Sequence, residues 1–399
     1  MKQSERISKE TDFLKLMEIL SLPRPNGSQA LKKTRKKLSA WLDEHNICHQ
    51  VQTFKLYPYF LEIGGIWLLL TQVLLVYSIW KQWGWVSIVI SLVSLLVSIL
   101  ETRGTPILSQ LISDVGENIV IEFEPAKEVR QELILSAHYD SKTELLSERW
   151  ANFFMAKLPI GMLLSIVLGL FGVVGWFMPD SAEAGSSLIY YTSLVLTVPL
   201  LLIFTPIGIN FIFGQWGKPS EGAIDNGAAT AILMDVASRI ANAHSTNYTK
   251  LTIVVFCGEE TVVQGSRAYV RQRDFPYSTY ALNLELMGQN GDYVIWEKIG
   301  DPFGSFPTDH NLNRTLELLV EEHNDSKLVF HSGPVGTDTL PFIQAGIPST
   351  SFASLDTKLG FSGLHRPIDN FDRVAFHKLT NTSRILMTLL DQTDKDKSM

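Results

Sequence analysis

Four long apolar segments without charged residues constrain the fold of this 399-residue chain more than any other feature. They cover residues 63–80, 82–100, 158–179 and 184–217, and Lys81 alone separates the first two. Each is long enough to cross the hydrocarbon core of a bilayer as a helix, which takes about 20 residues. The fourth is too short for two crossings, so we expect one span in which Pro199, Pro206 and Asn210 bend the helix or place part of it at the interface. The sequence therefore predicts an integral membrane protein with four transmembrane helices.

The four spans fall into two hairpins, each of which returns the chain to the side of the membrane that it left. The polar parts of the chain thus face one compartment and are expected to form one domain. The predicted division is a soluble domain composed of residues 1–59, 101–157 and 218–399, with hairpins at 60–100 and 158–217.

Lysine and arginine near the span ends indicate the orientation of this domain. On the domain side they are Lys55, Arg103, Arg149, Lys157 and Lys218. On the hairpin side there is only Lys81. Because cytoplasmic loops carry an excess of positive charge, the asymmetry predicts that the soluble domain is cytoplasmic.

The polar parts of the chain alternate between strand-like and helix-like patterns. Strands are predicted at 50–56, 118–123, 132–139, 251–256, 280–286 and 348–354, and helices at 8–20, 29–45, 227–240, 266–273, 309–323 and 370–390. Such alternation predicts an α/β domain with a mixed, largely parallel sheet sandwiched by helices, into which the transmembrane hairpins are inserted. In sheets of this kind the ligand site lies at the carboxyl ends of the strands.

Charge and cysteine content exclude two classes of protein. The net charge is -7, and the only dense basic cluster, KKTRKK at 32–37, lies in a helical pattern typical of a solvated face. Nucleic acid is therefore not expected as a partner. Two cysteines, Cys48 and Cys257, do not form a disulfide framework.

Histidine and carboxylate side chains cluster at the predicted strand ends. His138 and Asp140 close one strand, Glu259 and Glu260 follow another, and Glu285 ends a third. Asp225 lies in a loop that enters a helix, and His365 lies in a later loop. In an extended chain residues i and i+2 point to the same side, so Asp140 is expected to orient the imidazole of His138. Nitrogen and oxygen ligands of these types suit zinc, including two zinc ions that share a carboxylate.

Each of these signals taken alone has a structural explanation. A lone histidine is more often structural than a ligand, and Asp225, followed by Asn226 and Gly227, fits an ordinary helix cap. Their joint occurrence at successive strand ends favours a metal site.

Seven motifs, taken in order, resemble a known family. LPRPNGS, SAHYDS, GAIDNGAA, FCGEETVVQGSRAY, NLELMG, TDTLPFIQAGIP and LHRPIDN are similar to the motif series of the co-catalytic zinc aminopeptidases of clan MH, whose relatives include glutamate carboxypeptidases and glutaminyl cyclases. The resemblance covers essentially all of the soluble sequence, and the hairpins are additional to it. It implies a membrane-anchored zinc exopeptidase that acts on a peptide or protein N-terminus, with residues 218–399 as the main metal-binding part.

The resemblance also implies roles for individual residues. His138, Asp225 and Glu285 would bind one zinc ion, and Asp225, Glu260 and His365 a second, so that Asp225 bridges the two. Glu259 would act as the general base. Most soluble members have aspartate where this chain has Glu285. Asp338 matches a loop that lines the site and is a candidate substrate-binding residue, although an exposed loop carboxylate is an equal interpretation; Gly336 and Thr337 share this loop.

Other functions remain open from the sequence. A glutaminyl cyclase needs one zinc ion and can do without His138, so that residue, with Asp140 beside it, favours the two-metal hydrolase. A peptidase-like receptor is expected to lack ligands or the base, whereas all six positions here carry a competent residue. A four-span transporter leaves most of the chain unexplained. Aminopeptidase and carboxypeptidase action are not separated, nor is the oligomeric state indicated.

Overall fold

The computed structural model describes residues 3–178, 183–243, 245–301, 303–323, 326–332, 336–356, 358 and 360–395. Within these ranges the chain divides into two compact units. The first, here called the sheet unit, comprises Met1–Pro58, Ser113–Thr143 and Lys218–Met399. The second, here called the helical unit, comprises Tyr59–Ile112 and Glu144–Gly217.

The described elements alternate as an α/β protein with added helices. The helices are α1 (Gln3–Leu20), α2 (Gln29–Glu44), α3 (Phe60–Trp80), α4 (Gly84–Thr102), α5 (Glu148–Met155), α6 (Leu158–Phe177), α7 (Glu183–Phe213), α8 (Ala228–Ala243), α9 (Gln264–Gln272), α10 (His310–His323), α11 (Thr339–Gln344) and α12 (Phe376–Lys395). The strands are β1 (Gln50–Leu56), β2 (Asp114–Phe123), β3 (Gln131–His138), β4 (Thr249–Phe256), β5 (Ser278–Glu285), β6 (Gly291–Trp296), β7 (Lys298–Asp301), β8 (Gly304–Pro307), β9 (Leu328–His331) and β10 (Ser349–Asp356).

Eight strands form the main sheet of the sheet unit, in the order β1-β2-β4-β3-β5-β10-β6-β9. Its centre is parallel, because β3 pairs in parallel with β4 and β5, and β5 pairs in parallel with β10. The pairs β1–β2, β2–β4 and β10–β6 are antiparallel. The parallel centre brings the carboxyl ends of β3, β4, β5 and β10 to one edge of the sheet.

Burial explains why the central strands could be predicted from the sequence. Every residue of β3 is buried, and in each of β4 and β5 all residues but one are buried. Such burial is expected for strands that are covered by helices on both faces of the sheet. Helix α8 packs against both α1 and α12, while α9 and α11 pack against each other. The predicted fold class, a mixed and largely parallel sheet flanked by helices, is confirmed.

The prediction missed β6 and the edge strand β9, at the far end of the main sheet, and also β7 and β8, which form a separate pair. β9 is a four-residue edge strand with three exposed residues, and β8 is exposed along its whole length. Strands this short and this exposed carry little of the apolar pattern on which a sequence-based prediction depends.

The helical unit contains four helices that are long and apolar enough to cross a membrane: Phe60–Trp80, Gly84–Thr102, Arg149–Phe177 and Gly185–Trp216. Glycine allows two of these helices to pack closely. A side chain at Gly84 of α4 would collide with the carbonyl oxygen of Gly172 in α6. Pro199 and Pro206 both lie inside α7. The predicted span 158–179 ends at residue 179, which is outside the described residues.

The chain leaves the sheet unit twice, and each time the residues at the exit and the return are neighbours in the structure. Leu56, the last residue of β1, pairs with Asp114, the first residue of β2. At the second point, the backbone N–H of Ser220 donates to the hydroxyl of Thr143 (3.1 Å). Both pairs of chain ends are thus held next to each other within the sheet unit.

Candidate metal centre

The carboxyl edge of the parallel strands collects the histidines and carboxylates singled out in the sequence. His138 is the last residue of β3 and Glu285 the last of β5. Glu259 and Glu260 follow β4, and His365 follows β10. Asp225 lies immediately before α8, in the turn that starts at Gly222.

His138, Asp225 and Glu285 form the first group that is arranged to hold a metal ion. The Nε2 atom of His138 lies 3.2 Å from Oε1 of Glu285 and 3.3 Å from Oδ1 of Asp225. One ligand atom from each of the three lies within 4.8 Å of the others, and all three residues are buried.

Asp225, Glu260 and His365 form the second group. The Nε2 atom of His365 lies 2.9 Å from Oδ2 of Asp225 and 3.4 Å from Oε2 of Glu260. Asp225 thus turns one oxygen to each histidine, Oδ1 to His138 and Oδ2 to His365. This is the geometry required of a carboxylate that bridges two cations.

The pKa values of several groups in this cluster are shifted by burial and by neighbouring charges. Burial, together with the nearby Glu285 and Glu260, raises the pKa of Glu259 well above its ordinary value, and burial also raises the pKa of Glu285. Burial would lower the pKa of His138, but the carboxylates around it outweigh that effect and raise it well above its ordinary value. Burial thus favours the neutral form of both glutamates, whereas the surrounding carboxylates favour the charged form of His138.

The donor set fits zinc. Imidazole nitrogens and carboxylate oxygens in groups of three are the ligands of open zinc sites. Oε1 of Glu260 is buried and has no hydrogen-bond partner among the described residues, which is costly for a carboxylate oxygen unless a cation meets it. The residues present therefore satisfy the requirements of the metal in chemistry and in geometry.

Asp140 is buried beside His138, but its carboxylate accepts most of its hydrogen bonds from the backbone of the loop that follows β4. Its carboxylate accepts N–H groups from Gly258 (3.0 Å), Glu259 (3.3 Å) and Glu260 (3.1 Å). Gly258 adopts φ +84°, a left-handed turn that permits this approach at the end of β4. The Nδ1 atom of His138 lies 3.5 Å from Oδ1 of Asp140 and 3.2 Å from its backbone carbonyl oxygen. Asp140 thus fixes the backbone that carries Glu259 and Glu260, in addition to lying beside the imidazole.

Three further residues that support the site were not singled out from the sequence. Asn26 donates its amide to the Asp140 carboxylate (2.8 Å), and Asn283 donates to Oε2 of Glu285 (3.0 Å). Asp369 accepts the backbone N–H of Ile224 (2.7 Å) and of Asp225 (3.3 Å), and so orients the shared carboxylate. Asn26, Asn283 and Asp369 each lie inside a quoted motif, which is the signal that could have identified them.

Arg24 is a fully buried arginine that joins the segments of the site. Its guanidinium donates to the carbonyl oxygens of Tyr139 (2.7 Å), Glu221 (2.7 Å) and Gly222 (3.0 Å), and also to that of Leu20. Burial lowers its pKa to about 10. Arg24 therefore connects the end of β3 to the turn that holds Asp225.

Asp338 is buried rather than exposed, and its charge interacts with the charges of the cluster. Neither of its oxygens accepts a hydrogen bond from a described residue, and the nearby hydroxyl of Ser266 donates to the carbonyl of Val263 (3.1 Å). Burial raises the pKa of Asp338 to about 7, and Asp338 in turn contributes to the raised pKa of Glu259. The neighbouring Thr337 is fixed by its hydroxyl contact to Ser351 (2.7 Å). Asp338 is thus a buried carboxylate that accepts no hydrogen bond from a described residue.

Comparisons with known proteins give one family match. The sequence profile described as Peptidase family M28 matches residues 208–390, which include four of the five residues of the two groups. No curated protein matches the chain.

Similar folds occur among solved structures. An aminopeptidase from Aneurinibacillus sp. strain AM-1 has a TM-score of 0.55 at 11% identity, over 96% of this chain and 93% of that one. A zinc aminopeptidase from Bacillus subtilis has a TM-score of 0.55 at 12% identity, over 96% and 95%. The glutaminyl cyclase of Porphyromonas gingivalis has a TM-score of 0.52 at 13% identity, over 97% of each chain. The resemblance drawn from the motifs is confirmed: residues 208–390 match the profile of Peptidase family M28, and the fold is that of zinc aminopeptidases and glutaminyl cyclases.

Proposed function

We propose that the chain is a membrane-anchored, zinc-dependent exopeptidase that removes residues from the N-terminus of peptides or proteins, with two zinc ions per chain. The observation that carries the proposal is the position of Asp225, whose two oxygens reach the two histidines of separate ligand groups. A site with one metal ion does not need such a shared carboxylate. Glu259, whose carboxylate lies beside the first group, supplies the remaining requirement, a base.

Zinc in these groups supplies Lewis acidity, which makes water easier to deprotonate and polarises a carbonyl group. His138, Asp225 and Glu285 would hold one ion, and Asp225, Glu260 and His365 the other. Their burial keeps bulk water away from the ligands and strengthens every electrostatic interaction among them.

Glu259 is placed to move the proton of the reaction. Its Oε2 lies 3.7 Å from Nε2 of His138, beside the first group but with no place in either set of three ligands. In the proposed reaction Glu259 accepts a proton from the attacking water, whose oxygen bonds to the carbonyl carbon of the substrate. As the carbon–nitrogen bond breaks, Glu259 returns the proton to the departing amine. Asp140 keeps the Glu259 backbone in place for both transfers.

Asp338 supports the choice of an aminopeptidase. A buried carboxylate without a hydrogen-bond partner is suited to a cationic group of the substrate. The α-ammonium of a free N-terminus is such a group, whereas a C-terminal carboxylate would be repelled. We therefore propose that Asp338 binds the substrate amine.

A substrate panel tests the reaction and the role of Asp338 together. The detergent-solubilised full-length chain is expected to hydrolyse aminoacyl amides with a free amine and to leave their N-acetylated forms intact. Asp338→Asn should raise KM about tenfold or more with a smaller change in kcat, because the lost interaction binds the ammonium before and during the reaction. Liquid chromatography with mass spectrometry identifies the products.

Three other outcomes would contradict all or part of the proposal. Release of ammonia from an N-terminal glutamine, without peptide hydrolysis, would indicate a glutaminyl cyclase. Absence of both reactions in a zinc-loaded sample would favour a non-catalytic peptidase-like binding protein. Hydrolysis of N-acetylated substrates at their C-terminus would retain the peptidase but replace the aminopeptidase by a carboxypeptidase.

The helical unit supports anchoring in a lipid bilayer. The outward faces of its helices are apolar and exposed, and Val73, Leu96 and Leu163 are each more than half exposed. Trp80 and Trp83 lie exposed at the turn between α3 and α4, where the ammonium of Lys81 lies 4.2 Å from the Trp80 ring. Tryptophan and lysine at a helix end are typical of the membrane interface.

The excess of lysine and arginine on the domain side supports a cytoplasmic site. A reporter enzyme that is active only in the cytoplasm is expected to be active when fused after α12. The same reporter inserted at Lys81 should be inactive, which controls for expression. The reverse pattern would place the site on the opposite side of the membrane.

A further inference from the structure

A lysine lies beside the second ligand group. Lys142, two residues after Asp140, places its Nζ atom 3.2 Å from Oε2 of Glu260, and its side chain is 16% exposed. The same oxygen lies 3.4 Å from Nε2 of His365. An ammonium and a ligand histidine therefore share one carboxylate oxygen at the second group.

The backbone on both sides of Lys142 is held in place. The N–H of Ser141 donates to the carbonyl of Arg24 (3.1 Å), and the hydroxyl of Ser141 accepts the N–H of Arg24 (2.9 Å). On the other side, Thr143 accepts the N–H of Ser220 (3.1 Å). The lysine is thus positioned by the same segments that position the site, and its ammonium is directed to Glu260 by a fixed loop.

The first ligand group has no comparable cation. Glu285 receives its hydrogen bond from the neutral amide of Asn283 (3.0 Å), and within the described chain no lysine or arginine forms an ion pair with Glu285 or Asp225. His365 is also more exposed than His138, at 17% against 0% of the side chain. The two groups therefore differ in charge and in solvent exposure, although each has one histidine and two carboxylates.

We propose that Lys142 makes the two metal sites unequal, so that the second group binds its divalent cation more weakly and exchanges it more readily than the first. The ammonium competes with the cation for Glu260 and repels it. Lys142 acts through Glu260 and is a positioning residue. This inference rests on the proposed function, in which both groups hold an ion, and it makes the supply of free metal a control on activity.

Titration of the metal-depleted full-length chain in detergent with Co²⁺ tests the inference, since the visible absorption of Co²⁺ reports binding without any substrate. The parent is expected to show a tight and a weak class of site. Lys142→Met should tighten the weak class by at least about tenfold, because a repelling charge is removed, and leave the tight class unchanged. Lys142→Arg should retain the weak class. Lys32→Met, which removes a lysine that pairs with Asp114, should change neither class.

Each outcome bears on one of the two proposals. A weak class that is unchanged or weaker in Lys142→Met would show that the lysine supports the ligand, and would overturn the inference while leaving the peptidase proposal intact. Absence of any bound Co²⁺ in the parent would instead overturn the proposed function, because the first group does not involve Lys142. Should thermal melting show that Lys142→Met folds poorly, Lys142→Gln removes the same charge and decides the question by the same titration.

Discussion

Glu259→Gln is expected to lower kcat by about 10²–10⁴-fold, the usual contribution of a general base, while the zinc content stays unchanged. Glutamine keeps the size of the side chain but does not accept a proton. Glu259 has no place in either set of three ligands, so its replacement should not release an ion. Single-turnover kinetics on an aminoacyl amide and metal analysis by mass spectrometry measure the two quantities on one sample.

A control with the same chemical change is available in Glu124→Gln, because Glu124 is mostly exposed and pairs with Lys250. Its activity and metal content should equal those of the parent. If Glu259→Gln retained full kcat, the base would lie elsewhere. If the variant lost an ion together with its activity, Glu259 would be a ligand and the assignment of the two groups would need revision.

Asp225→Ala should release both zinc ions, whereas replacement of any other single ligand should release one. Asp225 is the only residue common to the two groups, and its oxygens point to different histidines. Loss of a ligand that carries charge is expected to weaken metal affinity by more than the 10–100-fold that is typical of a lost supporting residue, or about 100-fold or more for each ion. Metal content after dialysis against a chelator measures this directly.

Glu285→Ala and His365→Ala are the matched comparisons. Each belongs to one group only, so the first variant should keep the ion of the second group and the second variant that of the first. The backbone around Asp225 remains held by Asp369 in all three variants. Retention of both ions by Asp225→Ala would contradict the bridging role, and loss of both by either comparison variant would show that the groups bind cooperatively.

The sequence was sufficient to predict which side chains lie close together, because parallel strands impose a simple rule. Strands β3, β4 and β5 are rich in aliphatic residues, so their ends are visible, and the residues at those ends must meet at one edge. The proximity of His138, Glu285 and the pair Glu259 and Glu260 follows from that rule without knowledge of any contact. The motif series was needed to place Asp225 and His365, which lie in loops, in a common site, and to assign different roles to Glu259 and Glu260.

The supporting residues could not be predicted in the same way. Asp140 was expected to orient His138, yet its carboxylate accepts three backbone N–H groups of the loop after β4, a contact that depends on the left-handed turn at Gly258. Arg24 and Lys142 are ordinary surface residue types in the sequence. The full burial of Arg24 and the partial burial of Lys142 follow from how distant segments pack, which neither composition nor periodicity encodes.

In the sheet unit, the residues that flank each long excursion of the chain are neighbours, which gives a simple route by which such a protein can arise. β1 and β2 are registered up to Leu56 and Asp114, as they would be across a short hairpin turn, and Thr143 and Ser220 are hydrogen-bonded neighbours. Lengthening a surface loop whose ends are already adjacent adds little closure entropy, since that cost grows only logarithmically with loop length. Each pair of apolar helices therefore occupies a position at which, in genetic terms, an insertion is easily tolerated, and it could be gained or lost without rebuilding the main sheet.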